Sequence, residues 1–132
     1  MKATRNVVLA SLVLSALALG CGATSRGPLA PKNPLAPVIV YTSASCGEPC
    51  FAMTNQLRSR GIAHLERDVE RMPGAREEVQ QKLRDAGLDA AGPPVLDFRG
   101  TIVVGYQPTA IDQLCDADSR AQTQLRTRAA SR

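Results

Sequence analysis

The apolar positions of this chain fall into short runs separated by glycine and proline, and most runs have a readable period. Val38-Ile39-Val40-Tyr41 is β-branched, apolar and entered through Pro37, which predicts a buried strand. From Cys50 to Arg60, Phe51, Met53 and Leu57 supply the apolar positions of a helix, and Gly61 is placed as its C-terminal cap. Ile62 to Val69 alternates less cleanly and predicts a second strand with mixed faces. Pro73-Gly74 breaks the pattern. Ala75 to Ala86 predicts a charged helix with Val79, Leu83 and Ala86 on one face, stopped by Gly87. Pro94 to Phe98 and Thr101 to Val104 predict two short strands. Arg99-Gly100 between them has the length of a two-residue hairpin loop, with the glycine supplying positive φ. Pro108-Thr109 begins a last helix, with Thr109 and Asp112 as a capping box and Ile111 and Leu114 toward the core. The order βαβαββα predicts an α/β fold: a parallel crossover, then an antiparallel hairpin, giving a four-stranded mixed sheet with helices on both faces.

The first residues follow a different pattern. Lys2 and Arg5 precede Val7 to Leu19, a nearly unbroken apolar run of thirteen residues. A spanning helix needs about 20, so this run fits the core of a secretory signal instead. Ala18-Leu19-Gly20-Cys21 resembles the end of a bacterial lipoprotein signal, which implies lipidation of Cys21. An ordinary cleaved signal with a stray cysteine is the alternative. The chain of 132 residues then divides into a lipoprotein signal peptide at 1–20, a proline-rich tether at 21–37, a domain at 38–117 and a basic, disordered tail at 118–132. The expected location is the bacterial cell envelope, lipid-anchored, on a periplasmic or extracellular face.

Charge changes this picture little. Beyond residue 20 there are fourteen Lys/Arg against twelve Asp/Glu, and the excess lies in Arg120, Arg126, Arg128 and Arg132. Near-balance and export both argue against a nucleic-acid partner. Cysteine counts matter more. With Cys21 a thioether, three thiols remain, Cys46, Cys50 and Cys115, so one pair and one leftover is the natural outcome in an oxidising compartment. Cys46 and Cys50 are separated by three residues and begin the first helix. Neighbours four apart share a helix face, and a bridge there is feasible.

Taken together, these motifs resemble the glutaredoxins of the thioredoxin superfamily. The resemblance rests on Val40-Tyr41-Thr42 running into Cys46, on Arg60-Gly61-Ile62 and on Arg67-Asp68-Val69. It continues through Pro94-Val95-Leu96-Asp97-Phe98-Arg99-Gly100 and Ile102-Val103-Val104-Gly105. It implies a cis-proline at Pro94, no metal or organic cofactor, and a substrate site formed by Tyr41, Pro93, Pro94, Val95, Gly105 and Tyr106. It implies a monomeric partner of protein thiols and disulfides. Three features depart from the family: the three-residue spacer between the cysteines, Pro93 in place of a polar residue, and Gly105-Tyr106-Gln107-Pro108 in place of a Gly-Gly-acid turn. The last two argue against glutathione as partner.

On this reading Cys46, ahead of the helix, is the nucleophile, because helix N–H groups favour a thiolate. Cys50, one turn in, resolves the mixed disulfide. Glu48 opposes the thiolate by like charge. Pro49 suits a first helical turn, where its missing N–H is not needed. Cys115 is a core thiol outside the mechanism. Three other readings stay open: a purely structural disulfide, a copper site in which Cys46 and Cys50 join His64, and a redox-inactive module that binds a partner through the same groove.

Overall fold

The structure is a computed structural model that describes residues 27–132; Cys21 and the signal sequence lie outside the described residues. Its elements are β1 (Val38–Thr42), α1 (Glu48–Ser59), β2 (Leu65–Asp68), α2 (Ala75–Asp85), β3 (Val95–Phe98), β4 (Thr101–Val104) and α3 (Pro108–Ala130). The sheet runs β2-β1-β3-β4, with β1 and β2 parallel and the other pairs antiparallel. The expected order and the four-stranded mixed sheet are both present.

Strand alternation splits the core in two. Val38 and Val40 of β1, with Leu96 and Phe98 of β3, face Met53 and Leu57 of α1 and Ile111 and Leu114 of α3. Ile39 and Tyr41, with Val95, face Val79 and Leu83 of α2. Both faces of β1 are therefore covered, which is why its sequence is continuously apolar rather than alternating. No described helix is long and apolar enough to cross a membrane.

Several boundaries differ from the sequence expectation, each for a local reason. β2 is four residues long and starts at Leu65 instead of Ile62. Gly61, at φ 67°, turns α1 back so that the Ile62 N–H donates to the Leu57 carbonyl at 2.9 Å. Ile62 is thus spent on the helix cap and packs into the core. Phe51 is 60 % exposed and is not a core position. The buried face of α1 is Cys50, Met53, Thr54 and Leu57, which leaves Phe51 about 100° away from Cys50 around the helix. The Thr109–Asp112 capping box does not form: α3 starts at Pro108 after Gln107, with no side-chain cap. Asp112 instead accepts from Gln56 of α1 at 3.0 Å.

The largest departures are at the two ends of the domain. Residues 118–132 were expected as a disordered tail, but α3 continues through Ala130. No glycine or proline follows Pro108, and alanine, glutamine, leucine and arginine are strong helix formers. Asp118 anchors the extension: it is 3 % exposed and its Oδ1 lies 2.8 Å from Arg99 Nε. That approach is an ion pair without hydrogen-bond alignment, which leaves the Nε proton unsatisfied. The described part of the proline-rich tether is likewise docked rather than free. Ala30 accepts from Thr101 at 2.6 Å, the Asn33 N–H donates to the Arg99 carbonyl at 2.9 Å, and Pro34 accepts from Gln122 at 3.0 Å. Arg99 closes the strap by donating to Ala36 at 2.5 Å. The strap lies at the β3–β4 hairpin and the start of β1, the sheet end opposite Cys46.

Candidate functional site

Cys46 and Cys50 are joined as a disulfide across the start of α1, with Cα atoms 5.8 Å apart. The chain leaves β1 at Thr42 and turns, the Cys46 N–H donating to the Ser43 carbonyl at 3.2 Å. Gly47 then takes φ 63° and ψ −134°, a conformation that side chains disfavour, and caps α1. This glycine accommodates the third spacer residue: it bends the chain so that Cys46 stays outside the helix while Cys50 falls in its first turn. Pro49 occupies that first turn as expected. Cys50 is 7 % exposed and Cys46 is only half-buried, so the two sulfurs differ in access.

The loop entering β3 lies alongside. The Pro93–Pro94 peptide bond is cis, and the Pro94 carbonyl accepts from the Gly105 N–H at 2.9 Å. Pro93 is half-buried, and Tyr106 is 37 % exposed just before α3. Val95 is buried and paired on both sides, with Tyr41 and Val104. Tyr41 requires a correction. It has no exposed surface, its hydroxyl donates to Glu78 at 2.5 Å, and Lys82 Nζ lies 5.6 Å from its ring centre. Burial, followed by the hydrogen bond to Glu78, holds its phenol well above the ordinary range. Tyr41 is a core residue that supports the site from below, and no part of it stands at the surface.

Sequence reasoning missed two components. Ser45 donates to Glu70 at 3.2 Å, tying the loop before Cys46 to the turn after β2. A cavity of about 690 Å³ opens between that loop, α2 and Pro93, with Tyr41, Val79 and Val95 as its floor. Exposed serine and glutamate in loops carry no sequence period, so only their convergence reveals them. The exposure of Phe51, next to Cys50, is a third unanticipated feature, beyond those two.

The remaining candidates lie elsewhere. His64 is at the start of β2, beside the start of β1, whereas Cys46 follows the other end of β1. Its Nδ1 hydrogen-bonds the Ile62 carbonyl at 3.1 Å, and its Nε2 lies 3.5 Å from a Glu66 carboxylate oxygen. Among the described residues no three His, Cys, Asp or Glu side chains converge as a metal site. Cys115 is a free thiol, 1 % exposed, in the α1–α3 core. Burial pushes its pKa up, against an opposing pull from Arg60.

That shift has a measurable consequence. An unfolded cysteine ionises near about pH 8.5, while buried Cys115 keeps its proton to higher pH. Above about pH 8.5 the unfolded chain therefore binds fewer protons, and stability falls as pH rises. Tyr41 adds the same sign at still higher pH. Urea melts of Cys115→Ala should show a shallower decline between about pH 8 and 10 than the parent. Parallel declines would place the loss on another group.

Comparison with known proteins agrees with this geometry. A structure of a mutant of the thioredoxin-like protein BC3987 superposes with a TM-score of 0.50 and 26 % identity, over 61 % of this chain and 95 % of that one. The chain has a thioredoxin-like fold. It is also similar to the Gene 56 protein of Mycobacterium phage D29, at 27 % identity over 89 residues, which is 67 % of this chain and 93 % of that protein. No protein-family model matches.

Proposed function

We propose that this protein is a glutaredoxin-like thiol–disulfide oxidoreductase that acts on protein disulfides in the bacterial cell envelope. The observation that carries the reading is the Cys46–Cys50 bond itself, with one accessible and one buried sulfur at a helix start in a thioredoxin-like fold. A structural role is the weaker reading. The bond closes a loop with a sequence separation of only 4. In the chain-entropy model so short a loop contributes about 2 kcal/mol, against about 4.7 for a hundred-residue loop.

In the oxidised state a substrate thiolate attacks the Cys46 sulfur, the Cys46–Cys50 bond breaks, and Cys50 leaves as a thiolate. A second substrate thiol, deprotonated, then attacks the substrate sulfur of the mixed disulfide and releases the Cys46 thiolate. Two electrons pass to the pair and the substrate becomes a disulfide. The reduced pair runs the same steps in reverse. Pro93 has a carbonyl but no N–H to offer a partner backbone, and no Gly-Gly-acid turn precedes α3. Both features favour protein substrates over glutathione. Turnover of a disulfide-bonded peptide by dithiothreitol tests the reading: protein should accelerate it, Cys115→Ser should retain the rate, and Cys46→Ser should lose it. A rate equal to dithiothreitol alone would sink the proposal.

Export and lipidation at Cys21 complete the reading. A domain held through the strap is held from the sheet end opposite Cys46, so the redox pair would face away from the membrane. Cys21→Ser should shift the protein from the membrane to the soluble fraction or block processing. A normally processed, membrane-bound variant would contradict the anchor.

A further inference from the structure

We infer that the cavity beside the redox loop is the docking groove for an extended, acidic segment of the substrate protein, read by Arg76 and Arg84 of α2. The inference rests on the exchange reading for its biological use, but its geometry stands alone. Arg76, Gln80 and Arg84 are spaced four apart on α2, so they share one helix face, and all three line the cavity of about 690 Å³.

Charge selects the occupant. The neighbouring cations are already paired: Lys82 with Asp97 at 2.5 Å, and Arg67 with Glu78 at 3.5 Å. Among the described residues neither Arg76 nor Arg84 has a carboxylate within 4.0 Å. Arg84 bonds only the neutral amide of Gln81, at 2.7 Å. The one acid in the lining, Glu70, accepts from Ser45 at the Cys46 end. The groove is thus acidic beside the cysteine loop and cationic along the helix. Two guanidinium groups eight residues apart on a helix are offset by about 12 Å along its axis. An extended chain covers that distance in about four residues. The matching segment carries carboxylates four positions apart. The backbone supports the same pose. Ala90, Ala91 and Gly92 also line the cavity, where the Ala91 carbonyl accepts from Gln80 at 3.0 Å, and among the described residues no acceptor takes their N–H groups.

The test uses the oxidised full-length protein and two labelled, cysteine-free peptides. One carries two glutamates four residues apart; the other has lysines there. Anisotropy at low salt should show the acidic peptide binding about tenfold more tightly, with the margin shrinking as salt rises. R76E/R84E should reverse the preference, and R76Q/R84Q should erase it. Equal binding of both peptides, or a preference that survives both variants, overturns the inference. So does S-methylglutathione displacing the acidic peptide at a concentration below the peptide's own, which would assign the groove to glutathione. The exchange reading is tested separately: the wild-type protein should turn over a neutral peptide disulfide, which has no carboxylates for the groove to read. Wild-type protein that binds the acidic peptide but exchanges no disulfide would overturn the oxidoreductase and leave the groove standing.

Discussion

Cys50→Ser protein should accumulate as a mixed disulfide with its partner, while Cys46→Ser should trap almost nothing. The difference follows from how the β1–α1 turn divides the two sulfurs. Cys46 lies outside the helix ahead of Gly47, half-buried, where N–H groups of the first turn favour negative charge. Cys50 lies within that turn at 7 % exposure, where an incoming substrate sulfur has little access. With Cys50 gone, Cys46 still attacks, but nothing within reach attacks it in turn. Alkylation of the reduced protein at mildly acidic pH should label Cys46 about tenfold faster than Cys50. Glu48, in the first turn of α1, works against the Cys46 thiolate, so Glu48→Gln should raise that rate further, by about threefold. Equal labelling at slow rates, with no trapped partner from either variant, would return the pair to a structural staple or an inactive binding groove.

The sequence made the inner fold legible because local signals agreed with one another there. β1 carried a β-branched run after a proline, α1 and α2 apolar positions closed by a glycine, and the β3–β4 hairpin two short runs around a two-residue loop. The hairpin shows the limit of that agreement. Gly100 was expected to supply positive φ, but Arg99 also adopts it, at φ 51°. A charged residue is a poor choice for that conformation on propensity alone. It is explained only by what it reaches: the strap carbonyl of Ala36 and the carboxylate of Asp118. Those partners are 63 and 19 residues away, beyond the range of any window-based pattern. The same limit explains the misreading of residues 28–37 and 118–130. Proline spacing says that the strap is extended, and arginine content says that the helix end is solvated. Neither says that the two meet at one side chain. The site divides in the same way. The cysteines and the cis-proline stand in recognisable local motifs, whereas the cavity exists only because α2 packs over Val95 and Tyr41.

Asp118→Ala should therefore cost more stability than any surface charge substitution, about 3 kcal/mol. Asp118 is nearly inaccessible and Arg99 largely so, with side-chain exposures of 5 % and 20 %. Removing the carboxylate leaves a guanidinium that is poorly solvated and held in place by the hairpin. Its remaining bond to Ala36 does not neutralise it. Arg99→Met/Asp118→Leu removes both charges and should recover much of the loss, because the penalty comes from an unpaired buried charge. The recovery should be incomplete, since Arg99 also holds the strap. Limited proteolysis separates the two contributions: Arg99→Met/Asp118→Leu should be cut within residues 28–37 faster than wild type while melting close to it. Urea melts of wild type, Asp118→Ala and the double variant measure the first contribution. If Asp118→Ala and the double variant melt alike, the pair is not the joint between strap, hairpin and α3. A surface pair would behave that way, because solvent already screens each charge and losing one leaves little behind.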